Sequence, residues 1–217
     1  MSDFAAQRVA MVDSQLRTND VTDVRILKAM GDIPRERFVP QALSAVAYME
    51  DCVALGKGRT LLDARCFGKL LQLADIGASD RVLDVGCLTG YSTLVLSRLA
   101  RHVVGVEEDG DLKRMAEKNL AAAGATNVEI VEAPLAQGYP RKAPFDVIVV
   151  NGAIEVEPNA LLDQLADGGR LVTIVRDRAA GHACLYLKSE GVVSERPAFD
   201  ARLPLLPGFR KAPGFVF

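Results

Sequence analysis

The chain has 217 residues, 49% of them apolar and 25% charged, with a formal net charge of −2 at pH 7. That balance predicts a globular protein with one substantial core and excludes a disordered chain. It gives no electrostatic ground for a nucleic-acid or membrane-surface partner, and the expected compartment is the cytoplasm.

The opening stretch, "MSDFAAQRVAMVDSQLR", mixes acidic and basic residues and has no long apolar run, so neither a signal peptide nor a membrane span is predicted. Helical spacing runs through "AAQRVAMVDSQLRT" and again through "DVTDVRILKAMGDI", with Asp20 and Thr22 as candidate caps. A proline-bounded segment, "PRERFVP", follows. From about residue 80 strands and helices alternate. "RVLDV" (81–85) is a strand ending at Gly86, and "YSTLVLSRLA" is a helix. "HVVGVE" (102–107) is a second buried strand, and "DLKRMAEKNLAAAGA" is an amphipathic helix stopped by glycine. "NVEIV" (127–131) alternates as a third strand, and "FDVIVVN" (145–151) is apolar enough for a central parallel strand. "NALLDQLADGG" is read as a helix stopping at a glycine pair, before a strand "RLVTIV" (170–175). The tail, "RLPLLPGFRKAPGFVF", is rich in proline and glycine and ends in an aromatic, strand-like run. Repeated β-α units of this length predict a doubly wound, mostly parallel sheet covered by helices.

Four cysteines, Cys52, Cys66, Cys87 and Cys184, form no C-x-x-C pair and are expected to be buried and reduced. His102 and His182 are the only histidines, and both are expected to be isolated, with neither near a cysteine. No metal site or histidine-based catalytic triad is predicted.

The chemistry is expected at "VLDVGCLTGYST" (82–93), a strand running into a glycine turn and a helix. In doubly wound folds ligands sit beyond the carboxyl ends of the strands, where glycines let backbone approach them. Gly86 and Gly90 do not complete G-x-G-x-x-G, which weighs against a dinucleotide. A strand-final Asp84, a short glycine turn and Glu107 about 20 residues on suit S-adenosylmethionine better. Asp84 would lie near its ammonium, the helix start near its carboxylate, and Glu107 at its ribose. The bland alternative for each is a turn glycine or a helix cap.

Over roughly residues 8 to 175 the chain resembles the protein-L-isoaspartate O-methyltransferases. The resemblance is carried by "MVDSQLRTNDVTDVRILKAM", "IPRERFVP", "AYMEDCVALGKGRT", "VLDVGCLTGYST", "VGVEED", "APFDVIVVNGA" and "LLDQLADGGRLV". It implies an α/β fold of the class I methyltransferase type, Rossmann-like, with a seven-stranded sheet and an N-terminal helical cap. Residues 1–78 would form the cap and substrate side, and 79–217 the cofactor-binding core, in one structural unit. It also implies methyl transfer from S-adenosylmethionine to the free carboxylate of isoaspartyl residues in proteins or peptides, by a monomer or homodimer.

Several positions depart from the family pattern. Where the family places a Thr-Ile-Ser-Gln-Pro segment, "TLLDAR" keeps Thr60 but puts Leu62 at the serine, followed by Asp63, which would repel an anionic substrate. Leu88 stands at a glycine of the turn. Glu132, Ala133 and Pro134 stand where the family has Gly-Asp-Gly beside the adenine, with Glu132 one position from the usual acid. Two alternatives therefore stand beside the family activity: a methyltransferase with a different acceptor, and an interaction protein without the cofactor.

Overall fold

The computed structural model describes residues 3–177 and 180–212. The aromatic run expected at the extreme C-terminus lies outside them. Helix α1 (Phe4–Ala10) continues as a π-helical turn, Met11–Leu16, and a 3-10 turn, Arg17–Asn19. Helix α2 spans Val24–Asp32. Neither expected cap is used: the side chains of Asp3 and Asp23 cap α1 and α2. Asp20 instead turns the chain at φ +63°, and Thr22 donates to Gln72. The proline-bounded segment forms a 3-10 turn, Arg35–Phe38. A small antiparallel hairpin follows, β1 (Val53–Gly56) and β2 (Arg59–Leu61). Helix α3 (Ala64–Ala74), not among the elements expected from the sequence, begins at an Asp63 cap and buries seven residues.

The main sheet has seven strands. They are β3 (Arg81–Val85), β4 (His102–Glu107), β5 (Val128–Glu132), β6 (Phe145–Ile154), β7 (Leu165–Asp177), β8 (Ala180–Ser189) and β9 (Val192–Asp200). Their order is β5-β4-β3-β6-β7-β8-β9. The first five positions pair in parallel, and β8 and β9 add antiparallel. Helices α4 (Tyr91–Ser97) and α5 (Gly110–Ala122) connect the parallel strands. The predicted α/β class and mostly parallel seven-stranded sheet are present. Strand order reverses between β3 and β6, because the chain leaves β3 on one side and returns on the other. A doubly wound sheet opens its ligand crevice there.

The stretch read as one helix over 159–169 is helical only as α6 (Asn159–Leu162). Strand β7 starts at Leu165, because the Phe145 and Gln164 backbones pair and draw the chain into the sheet. Cap and sheet share one hydrophobic cluster, in which Met11, Leu16, Met30 and Phe67 join Val82, Val147 and Val172. The other face of the sheet packs separately around Phe145, Ile148 and Phe209. No helix among the described residues is long and apolar enough to cross a membrane.

Candidate functional site

Beyond β3 the chain makes the expected turn. Gly86 and Gly90 have φ of +79° and +94°, and between them Leu88 is held at +54°. A leucine there carries roughly 1–2 kcal/mol of steric cost. Its side chain is 3% exposed and belongs to the main core cluster, so burial offsets the strain. The backbone has not relaxed around the leucine; it keeps the conformation a glycine would adopt. We expect Leu88→Gly to be more stable than Leu88→Ala by about 1 kcal/mol, the reverse of the usual helix or strand order. Urea denaturation of the two variants checks this, and equal midpoints would remove the strain argument.

Asp84 is fully buried at the end of β3. Its carboxylate accepts from Ser92 Oγ at 2.8 Å, Thr93 Oγ1 at 2.6 Å and Asn151 Nδ2 at 2.5 Å. Burial pushes its pKa up to about 6 against the pull of those hydrogen bonds, with Glu107 adding repulsion. A carboxyl whose folded pKa is raised stabilises the fold below its unfolded pKa and loses that contribution as pH rises through the folded one. From pH 4 to pH 7 the wild type should therefore lose about 2 kcal/mol relative to Asp84→Asn, measured by denaturation at both pH values. A constant difference would mean that Asp84 does not titrate in that window.

Glu107 ends β4 and is also fully buried. Its Oε2 accepts from the Leu88 amide at 2.9 Å, and its Oε1 from the Glu108 and Asp109 amides at 3.0 and 3.2 Å. The fourth donor is the guanidinium of Arg59, which forms an ion pair with Oε1. Arg59 reaches in from the β1–β2 hairpin and is 4% exposed. The carboxylate expected at a cofactor's ribose is thus already fully engaged by the protein. Arg59 gave no signal in the sequence, where "GKGRT" has the composition of a surface turn.

The crevice is closed from its other side by the tail. Ala153 pairs with Leu205, and the Leu206 amide donates to the Ala153 carbonyl at 2.8 Å. A Cβ on Gly86 would lie 3.1 Å from both Leu206 Cδ1 and Arg59 Nη2. What remains is a pair of voids of about 10 Å³ each, one by Leu62, Leu88 and Tyr91, the other by Arg59, Asn151 and Leu206. Small-molecule pockets run to roughly 300–1,000 Å³. In this conformation the crevice does not fit S-adenosylmethionine. A cavity of about 580 Å³ lies apart from it between α2, α4 and α5, and shares no lining residue with either void.

The other singled-out residues fall around this closed crevice. Thr60 sits on β2 beside Arg59. Leu62 is buried and offers only its carbonyl, which accepts from Arg35 Nη2. Asp63 is not a free charge facing a substrate: it caps α3, accepting from the Cys66 amide at 2.8 Å. Glu132 ends β5 with its side chain exposed, and the Ala133 amide donates to the Glu107 carbonyl at 3.2 Å. Asp84, Gly86, Leu88, Gly90 and Glu107 are brought together; Glu132 and Ala133 lie one strand further out. Three of the four cysteines are buried and all are free thiols. His182 is two residues from Cys184 on β8, and with Glu195 they place one ligand atom each within 4.8 Å. There the Cys184 thiol donates to Glu195, and burial followed by that carboxylate raises its pKa to about 12.

The family described as protein-L-isoaspartate(D-aspartate) O-methyltransferase matches residues 6–202. A protein-L-isoaspartate O-methyltransferase of Methanoculleus marisnigri is 40% identical over 191 residues, covering 88% of this chain and 87% of its own. One of Aliivibrio fischeri is 38% identical, covering 93% and 97%. A solved protein-L-isoaspartate O-methyltransferase superposes with a TM-score of 0.80 at 25% identity, over 93% of this chain and 66% of the other. A Plasmodium falciparum structure, solved in complex with S-adenosyl-L-homocysteine, is similar in fold, with a TM-score of 0.79 at 19% identity over 92% of this chain and 97% of its own.

Proposed function

The chain belongs to the protein-L-isoaspartate(D-aspartate) O-methyltransferase family, and from that membership we propose that it is an S-adenosylmethionine-dependent O-methyltransferase acting on the free carboxylate of isoaspartyl residues. The observation that carries this is the match over residues 6–202, which takes in both the cap and the strand ends where Asp84, Gly86, Gly90 and Glu107 meet. A carboxylate acceptor is ionised at neutral pH. The reaction class therefore asks the protein for alignment and desolvation rather than for a general base, which suits a crevice without histidine. Residues 1–78 would act as the substrate-side cap on the 79–217 core, with Thr60 in the place of the family's threonine and Leu62 contributing only shape. The substrate would be damaged protein, met in the cytoplasm by a monomer or homodimer.

A second reading, an interaction protein on the same scaffold, is favoured by one observation: Arg59 and Leu206 lie against Gly86, and Arg59 pairs with Glu107, at the strand ends where the cofactor is expected. Methyl transfer from labelled S-adenosylmethionine to an isoaspartyl peptide, with the matching aspartyl peptide as control, separates the two. Label in the isoaspartyl peptide alone supports the first; none in either peptide, from folded protein at high cofactor concentration, supports the second.

A further inference from the structure

We infer that Arg59 is a built-in occupant of the cofactor crevice, holding Glu107 so that S-adenosylmethionine can enter only when the β1–β2 hairpin withdraws the guanidinium. The inference rests on the proposal that this crevice uses the cofactor, and it assigns Arg59 the control of entry.

Three features support it. First, the hairpin is a distinct element that is not hydrogen-bonded into the main sheet. It is a separate two-stranded sheet of four and three residues, turned by Gly56, Lys57 and Gly58, all at positive φ. An isolated two-stranded hairpin is marginal by itself, so its position depends on what its side chains grip. Second, its two cations grip the same acidic segment. Arg59 holds Glu107 inside the crevice, while Lys57 holds Asp109 at 2.5 Å and Asp111 at 3.3 Å at the surface. The surface pairs are solvated and contribute little; the hairpin is held by the buried pair together with Val53 and Leu61, which are buried in the main core cluster. Third, the guanidinium is incompletely compensated. Its Nη2 is buried and has no hydrogen-bond partner among the described residues, and an unsatisfied buried donor carries a desolvation cost. The closed arrangement is therefore one that a ligand offering two hydroxyls to Glu107 can compete with.

A protein whose competent state is only fractionally populated binds with an affinity reduced by that fraction. Removing the cation should raise the fraction and leave Glu107 without its counter-ion, held only by the Leu88, Glu108 and Asp109 amides. The test is calorimetric titration of S-adenosylhomocysteine into wild type, Arg59→Lys and Arg59→Gln, each first shown to be folded by circular dichroism. We expect Arg59→Gln to bind about tenfold tighter than wild type or better, and Arg59→Lys, which keeps the charge, to stay within a few-fold of it. Equal binding by wild type and Arg59→Gln would overturn the control of entry and leave the cofactor proposal standing. No binding by any of the three folded proteins would overturn both. Should Arg59→Gln not fold, hydrogen exchange on the wild type decides. Amides 53–61 should lose protection on saturation with S-adenosylhomocysteine, and unchanged protection with ligand bound, or no ligand uptake, would overturn the inference.

Discussion

Arg59→Met is expected to lower the unfolding free energy by about 3–5 kcal/mol, the usual cost of removing one partner from a buried ion pair. The loss comes less from the attraction itself than from what is left behind. Glu107 stays fully buried, with three backbone amides for company and no counter-charge. The cost should therefore be partly relieved by a second change, Glu107→Gln, which removes the stranded charge and keeps one oxygen for the Glu108 and Asp109 amides, while its NH2 faces the Leu88 amide. A double-mutant cycle in urea measures this directly. A loss below 1 kcal/mol for Arg59→Met would mean that the pair is not closed in solution. The same variant should gain more thermal stability from S-adenosylhomocysteine than the wild type does, since ligand binding to the native state alone adds stability by mass action.

The second large effect is expected at the other wall. Phe209 is 1% exposed and packs into the cluster on the far face of the sheet. Its carbonyl accepts from the Glu155 amide at 2.9 Å. Glu155 is in turn held by Arg176 and accepts from the Lys211 amide, and those contacts, with Arg176 first, depress its pKa. Truncating a buried phenylalanine costs about 3–5 kcal/mol. Phe209→Ala should reach that range if the tail unfolds with the rest of the chain. If the tail can detach alone, the global loss is smaller and residues 201–211 lose amide protection first. Denaturation and hydrogen exchange on one sample distinguish the two outcomes. Neither effect would mean that Phe209 does not anchor the tail.

The parallel core was legible because its central strands are nearly all apolar, and the limits of "RVLDV" and "HVVGVE" match β3 and β4. The antiparallel edge was not. Strand β9 is exposed along most of its length, so "VVSERPAFD" carries no burial pattern to read. The helix overextended past Leu162 shows tertiary pairing overriding a local pattern. At the site, Leu88 could be singled out as a residue in a glycine's place, but its positive φ belongs to the folded backbone. Asp63 was read as a repulsive charge although it stands three residues before Cys66, whose amide it caps, a spacing the capping rule would have recognised. Arg59 was beyond local reading. Its partner lies 48 residues away, and nothing in a basic turn announces that its cation is buried.

The most direct test of the account is calorimetric titration of S-adenosylhomocysteine into the unmodified protein, because family membership argues for a cofactor and the closed crevice argues for a toll on its entry. Saturable binding is expected, weak in the wild type and with an enthalpy that includes breaking the Arg59–Glu107 pair. A folded sample that takes up no ligand at any accessible concentration would contradict it, and would leave the crevice as the core of an interaction protein.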